Sequence, residues 1–499
     1  MSEPRPEARG NATSQIVRST AIIGASNAFM TLTRIVRTKA FATLLGPAGI
    51  GLFGLYTSIL ATAGAISGMG VGSSGVRQIA EANDDPRKLA DTLFALRLIA
   101  ALLGTAGAIS LAFLSKAVSE WTLGNQAYFT AILILAVGGL FQVLSDSQTA
   151  ILNGLRRVGD LARISIVGSI IGTTFAIVVV LLKGIAALPY AIVVPVAIGL
   201  ACSWYAVGRL RLTRRRPSWQ ELKRVALSLL KLGVTFMLVG LMMTGALLVT
   251  RIIFSDRLGL AATGYFQAAW GLAVVNVDFI LNAMGVDFYP NLTTSITRDQ
   301  VAGNRLVNEQ TEVALLLGGP LIVGMLTMAS PLIRLFYTGD FNMATGLLRW
   351  LLLGSILKLV SWPLGYLIMA HGWARASLFA ELAWCALYVG LIYACTPYVG
   401  IVSAGYAFVV AYLVYMMVVY LITHIHGGFF WTRANILLAT ALVVLSILVM
   451  ALQASYPVVA LVSGALVTIA LGIFSLRKVC TMVDNPTAKR IALLMRAGG

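Results

Sequence analysis

Charged residues are scarce in this sequence. Asp, Glu, Lys and Arg together make up 11% of its 499 positions, whereas a typical soluble domain carries about 25%. So little charge cannot solvate the surface of a globular chain of this length. Stretches such as 171–182, 227–249 and 436–452 are almost wholly apolar, and a helix needs about 20 such residues to cross a bilayer. The composition therefore predicts a polytopic membrane protein.

Metal-binding and disulfide patterns are also missing. The four cysteines lie in predicted spans or beside the last one, and they form neither a disulfide framework nor the paired spacing of zinc sites. Of the three histidines, His424 and His426 form a pair in a predicted loop with no third ligand nearby. We therefore expect no metal site and no cofactor.

Catalytic signatures are absent as well. The sequence has no Walker motif, no dinucleotide-binding fingerprint and no zinc-protease helix, so hydrolytic and redox enzymes are not indicated. No polar stretch is long enough for a nucleotide-binding domain, and any transport must be secondary or use a partner. Residues 1–18 are polar and precede a full-length apolar run, which is not the pattern of a secretory signal.

Acidic residues are few beside the basic ones, 19 against 37, and the formal net charge is +18. A nucleic-acid partner is rejected, because the Lys and Arg residues concentrate in short loops between apolar runs. Counted on alternate sides of the predicted spans, about 24 basic residues fall on one side and about three on the other. By the positive-inside rule the rich side is cytoplasmic, with both termini inside.

The apolar runs predict an all-α protein with about fourteen transmembrane helices, arranged as two six-helix lobes plus two C-terminal helices. The predicted spans are roughly 17–45, 50–72, 93–114, 127–150, 164–182, 187–208, 226–254, 261–288, 311–335, 344–370, 377–396, 400–422, 435–452 and 457–476. The predicted parts are a cytoplasmic N-terminus (1–16), an N-lobe (17–208), a cytoplasmic linker (209–225), a C-lobe (226–422), accessory helices (435–476) and a cytoplasmic tail (477–499).

A short internal repeat supports the two lobes. Leu45–Phe53 and Leu258–Phe266 both read L-G-x-A-x-x-G-x-F, and each opens a six-span block. In the first copy only 46–49 separate two spans, which predicts a tight hairpin. Because an even number of spans separates the copies, the lobes should run in the same direction, with a substrate site between them.

Charges within the spans are the candidate site residues, because each is costly at a helix centre unless it faces a cavity or a partner. The alternative for those near span ends is that they snorkel to the headgroups. The cationic candidates are Arg34, Arg37, Lys39, Arg97, Lys231, Arg251, Arg349 and Lys358. An excess of buried cations indicates an anionic partner, and phosphate or diphosphate matches Arg geometry.

Two membrane acids, Asp278 and Glu381, are candidates for proton coupling, since loss of a buried charge changes the cost of desolvation. Gln267 and Asn282 share a predicted polar helix face with Asp278. Asp146, near the inner end of its span, is predicted to be solvated.

The order of several motifs resembles the O-antigen translocase (Wzx-type) branch of the multidrug/oligosaccharidyl-lipid/polysaccharide (MOP) exporter superfamily. The resemblance covers roughly 15–425, and Val307–Glu312 (VNEQTE) is its most specific piece. The other segments are Arg37–Lys39, Leu45–Gly51, Arg251, Gly264–Trp270, Tyr289–Pro290, Gly319–Pro320, Gly354, Lys358, Gly365–Tyr366 and Glu381.

The resemblance implies a flippase that moves undecaprenyl-diphosphate-linked oligosaccharide to the periplasmic leaflet of the bacterial inner membrane by alternating access, commonly with an ion gradient. It also implies a polysaccharide polymerase and a chain-length regulator as partners. Arg37, Lys39, Arg251 and Lys358 match basic positions of the family pattern, and Glu381 matches its acidic position. A MATE-like multidrug or cation antiporter is the main alternative. A membrane glycan polymerase or ligase is another, although it would need a larger outer loop.

Overall fold

The computed structural model describes residues 6–482 apart from 211, 213, 214 and 216, and side chains at 26 and from 28 onward apart from 275, 276 and 286. Every regular element in this part of the chain is helical. The predicted extremes of the N-terminus and tail, 1–5 and 483–499, lie outside the described residues. The helices are α1 (Pro6–Gly68), α2 (Val71–Ala82), α3 (Pro86–Phe113), α4 (Ser115–Leu123), α5 (Phe129–Gly154), α6 (Val158–Lys183), α7 (Leu188–Gly208), α8 (Trp219–Leu258), α9 (Leu260–Arg298), α10 (Gln300–Thr327), α11 (Ala329–Phe336), α12 (Ala344–Ala370), α13 (Ala374–Val399), α14 (Ser403–Gly427), α15 (Arg433–Ser455) and α16 (Pro457–Met482).

The all-α membrane fold is confirmed. In lipid every backbone polar group must find its partner inside the segment, which a helix achieves. Ten helical stretches of the described chain are long and apolar enough to cross a bilayer, and one bent pair in α9 brings the number to 11. Three of the ten are 41, 51 and 54 residues long, so each can provide two crossings of about 20 residues. A total of fourteen is consistent with these lengths.

The predicted hairpin at Gly46 is present. Gly46 has φ 63° and ψ −169° inside α1, a conformation that essentially only glycine adopts. In a straight helix, residues 41 and 53 would be separated by about 18 Å. The rings of Phe41 and Phe53 instead lie 5.4 Å apart between centroids, because the chain folds back at Gly46.

The internal repeat extends well beyond the L-G-x-A motif. Gly259, the matching glycine of the second copy, has φ 85° and ψ 171°, close to the values at Gly46. Further along, Gly184 after α6 and Gly400 after α13 share φ near 60° and ψ near −140°. Each of these two glycines begins a short 3-10 turn. Gly184 and Gly400 are separated by nearly the same length of chain as Gly46 and Gly259.

Two capped helix N-termini are also separated by nearly the same length of chain as the paired glycines. Asp85 caps α3 by accepting hydrogen bonds from two backbone N–H groups of the first turn, and Asp299 caps α10 in the same way. The turns of α1–α7 are thus repeated in α8–α14. We expect this of a chain built from two copies of one helical unit.

The chain forms two compact units, Met1–Thr263 and Gly264–Gly499. In the first, an apolar cluster that includes Val71, Leu96, Ile151 and Leu229 joins α2, α3, α5 and α8. The helix α8, which we predicted to open the C-lobe, packs within this unit. The division into six-helix lobes stays a prediction.

In the second unit α10 differs from the predicted span. It begins at Gln300 and ends at Thr327, whereas hydropathy predicted 311–335. The polar first turns are helical because Asp299 caps them and Arg305 pairs with Glu309 one turn on, which a hydropathy average cannot detect. Between the predicted spans 50–72 and 93–114 the chain also forms most of the amphipathic helix α2, which hydropathy did not predict.

The last two helices are tied to α10 by polar contacts. Gln453 of α15 donates to the carbonyls of Leu326 and Thr327, at 3.2 and 2.9 Å, and Lys478 of α16 pairs with Glu312. Near the other end of α10, Asn435 donates to the backbone carbonyl of Asn308 at 2.9 Å. Residues of the VNEQTE segment therefore anchor α15 and α16.

Candidate functional site

A buried lysine lies in the interior of the second unit. Lys358 of α12 is 8% exposed, and its ammonium forms an ion pair with the carboxylate of Asp278 on α9. The Nζ atom also lies 5.8 Å from the centroid of the Tyr412 ring on α14, a cation–π contact. A buried cation is tolerated in this way when a carboxylate compensates it.

The second predicted acid joins this group. Glu381 of α13 accepts a hydrogen bond from the hydroxyl of Tyr415 at 2.9 Å. The Tyr415 ring lies 6.0 Å from the ring of Tyr412, which contacts Lys358. Asp278, Lys358 and Glu381 are thus brought together from three helices, with two tyrosines of α14 between them. We call these five residues the charge cluster. Of the predicted polar face, Gln267 is half-buried and Asn282 is exposed.

Arg37 occupies a different setting in the first unit. It lines a cavity of about 420 Å³ between α1, α5, α6 and α7, and its guanidinium carbon lies 5.8 Å from the centroid of the Phe53 ring. Within the described chain, Arg37 has no carboxylate within ion-pair distance. The cavity wall also carries five hydroxyl side chains, those of Thr57, Thr149, Ser145, Ser165 and Ser169.

Sequence reasoning missed these hydroxyls, because single Ser and Thr residues cost little in a membrane helix. The signal was the spacing on α6, where Ser165, Gly168, Ser169 and Gly172 follow the period of one helix face. Thr33 of α1 is hydrogen-bonded to Ser169 across this face. A guanidinium beside several hydroxyls can bind an anion that also carries hydroxyl groups.

A second cavity, of about 610 Å³, adjoins the first, since Thr57, Leu60 and Thr149 line both. It contains Asp146, whose carboxylate accepts a hydrogen bond of 2.8 Å from Gln142 one turn earlier on α5. The prediction placed Asp146 in solvent near a span end. The structure shows it exposed to this cavity, whose wall carries no Lys or Arg among the described residues.

The remaining predicted cations are dispersed. Arg251 is 6% exposed and donates to the hydroxyl of Ser58 on α1, and Arg97 lines a third cavity of the first unit. Arg34 and Lys231 are exposed, while Lys39 and Arg349 are half-buried. In the described part of the chain, no three His, Cys, Asp or Glu side chains come close enough to hold a metal ion.

Comparison with known proteins identifies the family of this chain. The model of a family described as "Polysaccharide biosynthesis protein" matches residues 40–345. A protein of Escherichia coli named "Lipid III flippase" is 24% identical over 391 residues, which is 76% of this chain and 90% of that protein.

Two solved structures share the fold. The structure titled "Lipid II flippase MurJ, inward closed conformation" has a TM-score of 0.67 at 13% identity, over 91% of this chain and 99% of that one. An inward-facing multidrug resistance MATE family transporter of the MOP superfamily also has a TM-score of 0.67, at 17% identity, over 83% and 95%. Because the family model matches more than half of the chain, this protein belongs to the polysaccharide biosynthesis protein family.

Proposed function

We propose that this protein is a flippase that moves an undecaprenyl-diphosphate-linked oligosaccharide across the bilayer by alternating access. The family and the name of its Escherichia coli relative support a lipid-linked sugar as the substrate. We propose that the sugar is a repeat unit of O-antigen, common antigen or an exopolysaccharide.

The observation that carries the proposal is the position of Arg37. A guanidinium within a membrane helix bundle, beside five hydroxyl groups and without an ion pair in the described chain, suits a diphosphate and its attached sugar. Arg37 would bind phosphate oxygens in a bidentate manner, and the hydroxyls would replace hydrogen bonds that the substrate gives up in water. The other predicted cations, Arg34, Lys39, Arg97, Lys231, Arg251 and Arg349, stay predictions.

We assign the charge cluster to coupling. Lys358 is already neutralised by Asp278, so protonation of Asp278 or Glu381 would change the balance of charge in a buried site. The protonated and deprotonated clusters then differ in desolvation cost, and a proton gradient can bias one conformation over another.

The proposed location is the bacterial inner membrane, with both termini in the cytoplasm. The concentration of Lys and Arg on one side of the predicted spans supports this orientation. A polysaccharide polymerase and a chain-length regulator are the proposed partners, because they would act on the translocated sugar.

A cation antiporter is the second candidate function. The cavity of Asp146 favours it, since a carboxylate without a nearby cation in the described wall suits a positively charged substrate. The fold is also shared with multidrug transporters. The antiporter would bind its substrate at Asp146, and the flippase at Arg37.

The deciding experiment uses purified protein in vesicles that contain undecaprenyl-diphosphate oligosaccharide, with and without an imposed proton gradient. Appearance of the sugar on the opposite leaflet, faster with the gradient, is the expected result. Arg37→Ala should lose this activity. Arg163→Gln is the matched control for that substitution, because Arg163 is exposed on α6 and does not line the cavity. Efflux of a cationic dye, with no movement of the lipid-linked sugar, would establish the antiporter instead.

A further inference from the structure

Three glycines keep the cavity of Asp146 open. Gly64 and Gly68 of α1 and Gly72 of α2 line it beside α5. A Cβ added to Gly64 would lie 3.9 Å from Cγ of Gln142, and one added to Gly72 would lie 3.6 Å from Cβ of Asp146. Because longer side chains here would occupy the space, the glycines leave a volume of about 610 Å³. This volume is in the usual range for a small-ligand site.

Asp146 is the one charged residue among the described side chains of this wall. Its carboxylate accepts a hydrogen bond of 2.8 Å from Gln142, and no Lys or Arg of the described chain lies within ion-pair distance of it. A carboxylate has about four acceptor positions, so Asp146 can accept further hydrogen bonds from a ligand. The cavity therefore favours hydroxyl or amino groups and disfavours a second carboxylate.

The rest of the wall is suited to a sugar ring. Ser73, Thr149 and Asn153 provide hydroxyl and amide groups. The ring of Phe236, which is 45% exposed, provides an apolar surface in the same wall. A pyranose has hydroxyl groups around its edge and C–H groups on its faces, so it needs both kinds of partner.

The two cavities adjoin in the order that a sugar diphosphate requires. Thr57 and Thr149 line both the cavity of Arg37 and that of Asp146. Asp146 precedes Thr149 by three residues on α5, and side chains at this spacing are about 5–6 Å apart. One sugar ring spans a similar length. A diphosphate bound at Arg37 would thus place its attached sugar beside Asp146.

Given the proposed flippase function, on which this assignment rests, we propose that the Asp146 cavity binds the sugar attached to the diphosphate and that Asp146 excludes acidic sugars from this position. A hydroxyl or amino group of the accepted sugar donates to the carboxylate. A uronic acid would bring a second negative charge to a wall without a cation among its described residues. An uncompensated charge of this kind rejects a wrong ligand, so the first sugar is neutral or carries an amino group.

The test compares two lipids that differ only in the oxidation of C6 of the first sugar. They are undecaprenyl-diphosphate-N-acetylglucosamine and the same lipid with N-acetylglucosaminuronic acid. Their affinities are measured for the full-length protein in lipid nanodiscs, with undecaprenyl diphosphate as the reference without sugar. We expect the wild type to bind the neutral lipid about tenfold more tightly than the acidic one, since like charges in a hydrated cavity repel by an energy between the values for water and for a protein surface.

Two variants test the charge and the shape of the cavity separately. Asp146→Asn should remove most of the preference, because the amide is neutral and can donate to the carboxylate of the acidic sugar. Asp84→Asn is the matched control, since Asp84 is exposed in the turn between α2 and α3 and outside the cavity. Gly64→Leu fills the cavity without a change of charge and should weaken binding of the neutral sugar lipid relative to undecaprenyl diphosphate. Thermal unfolding confirms that each variant is folded.

Equal affinity of the wild type for the two sugar lipids would overturn the assignment, and so would a preference that persists in Asp146→Asn. Binding of undecaprenyl diphosphate to which the sugar adds no affinity would leave the flippase proposal standing and remove the sugar site at Asp146. Failure of the wild type to bind any of the three lipids would refute the proposed function itself, and the role of Asp146 with it.

Discussion

The two repeats place different side chains at matched positions. Ser165 on α6 precedes Gly184 by the same number of residues as Glu381 on α13 precedes Gly400. In the first repeat, small hydroxyl residues leave room for the cavity of Arg37. In the second, Glu381 belongs to the charge cluster, and the next turns of α13 pack Trp384 and Tyr388 against the aromatic residues of α14.

This difference separates two uses of a membrane cation. Arg37 lines a cavity with five hydroxyl side chains and has no ion pair in the described chain, so its counter-charge can come from a ligand. Lys358 is buried and already paired with Asp278, so its counter-charge is internal. One repeat is therefore suited to receive an anion, and the other to respond to a proton.

The largest expected effect is on transport by Arg37→Ala. The variant loses bidentate binding of the diphosphate. We expect flipping in vesicles to fall by about 100-fold, which corresponds to the loss of two hydrogen bonds to charged groups. Arg37→Lys keeps the charge but not the paired geometry and should recover only part of the rate. Stability should change little in both variants. Wild-type flipping by Arg37→Ala would contradict the proposed role of the cavity.

The next largest effect is on stability, at Lys358. Lys358→Met leaves Asp278 without its partner, and we expect a loss of about 2 kcal/mol in unfolding free energy, less than for a fully buried pair. The reduction reflects the 31% exposure of the Asp278 side chain. Adding Asp278→Asn should restore most of the lost unfolding free energy. A double-mutant cycle on unfolding measures this coupling. Additive losses would show that the two side chains are not coupled.

Matched substitutions in the two repeats test whether they share backbone geometry. Gly46→Ala and Gly259→Ala force a side chain into a conformation that costs about 1–3 kcal/mol. Space is available at both sites, because no heavy atom lies within 4 Å of an added Cβ. Thermal unfolding should show similar losses for both variants, while Gly240→Ala, inside α8, is the control. A loss of stability at only one of the two glycines would show that the two turns do not share the same backbone geometry.

The smallest effect is expected at Tyr415. Tyr415→Phe removes one hydrogen bond to Glu381, worth about 1 kcal/mol. We expect slightly lower stability and a flipping rate that still responds to the proton gradient.

Glu381→Gln removes a titratable carboxylate and should weaken the response of flipping to the proton gradient, measured as the ratio of rates with and without the gradient. An unchanged ratio would remove Glu381 from coupling.

The sequence predicts the spans well where hydropathy is decisive. The bounds of α12, Ala344–Ala370, agree with the predicted span, because most residues there are apolar. The start of α10 was missed, since its first turns are polar and depend on a cap and a surface ion pair. Helix ends set by side-chain contacts leave no signal in average hydropathy.

The candidate site shows the same limit. Asp278, Lys358 and Glu381 can be selected from the sequence because a charge in a span is unusual. Their association cannot, because it depends on how α9, α12 and α13 pack. The hydroxyls around Arg37 are common residues with little cost in a helix, so only their shared cavity distinguishes them.

The most direct test of the contrast between Arg37 and Lys358 is the affinity of undecaprenyl diphosphate for the purified protein in lipid nanodiscs. The measurement compares the wild type with Arg37→Ala and with the double variant Lys358→Met/Asp278→Asn. We predict that Arg37→Ala weakens binding strongly, whereas the double variant binds nearly as well as the wild type. The opposite result, normal binding by Arg37→Ala and lost binding by the double variant, would contradict the account and place the diphosphate at Lys358.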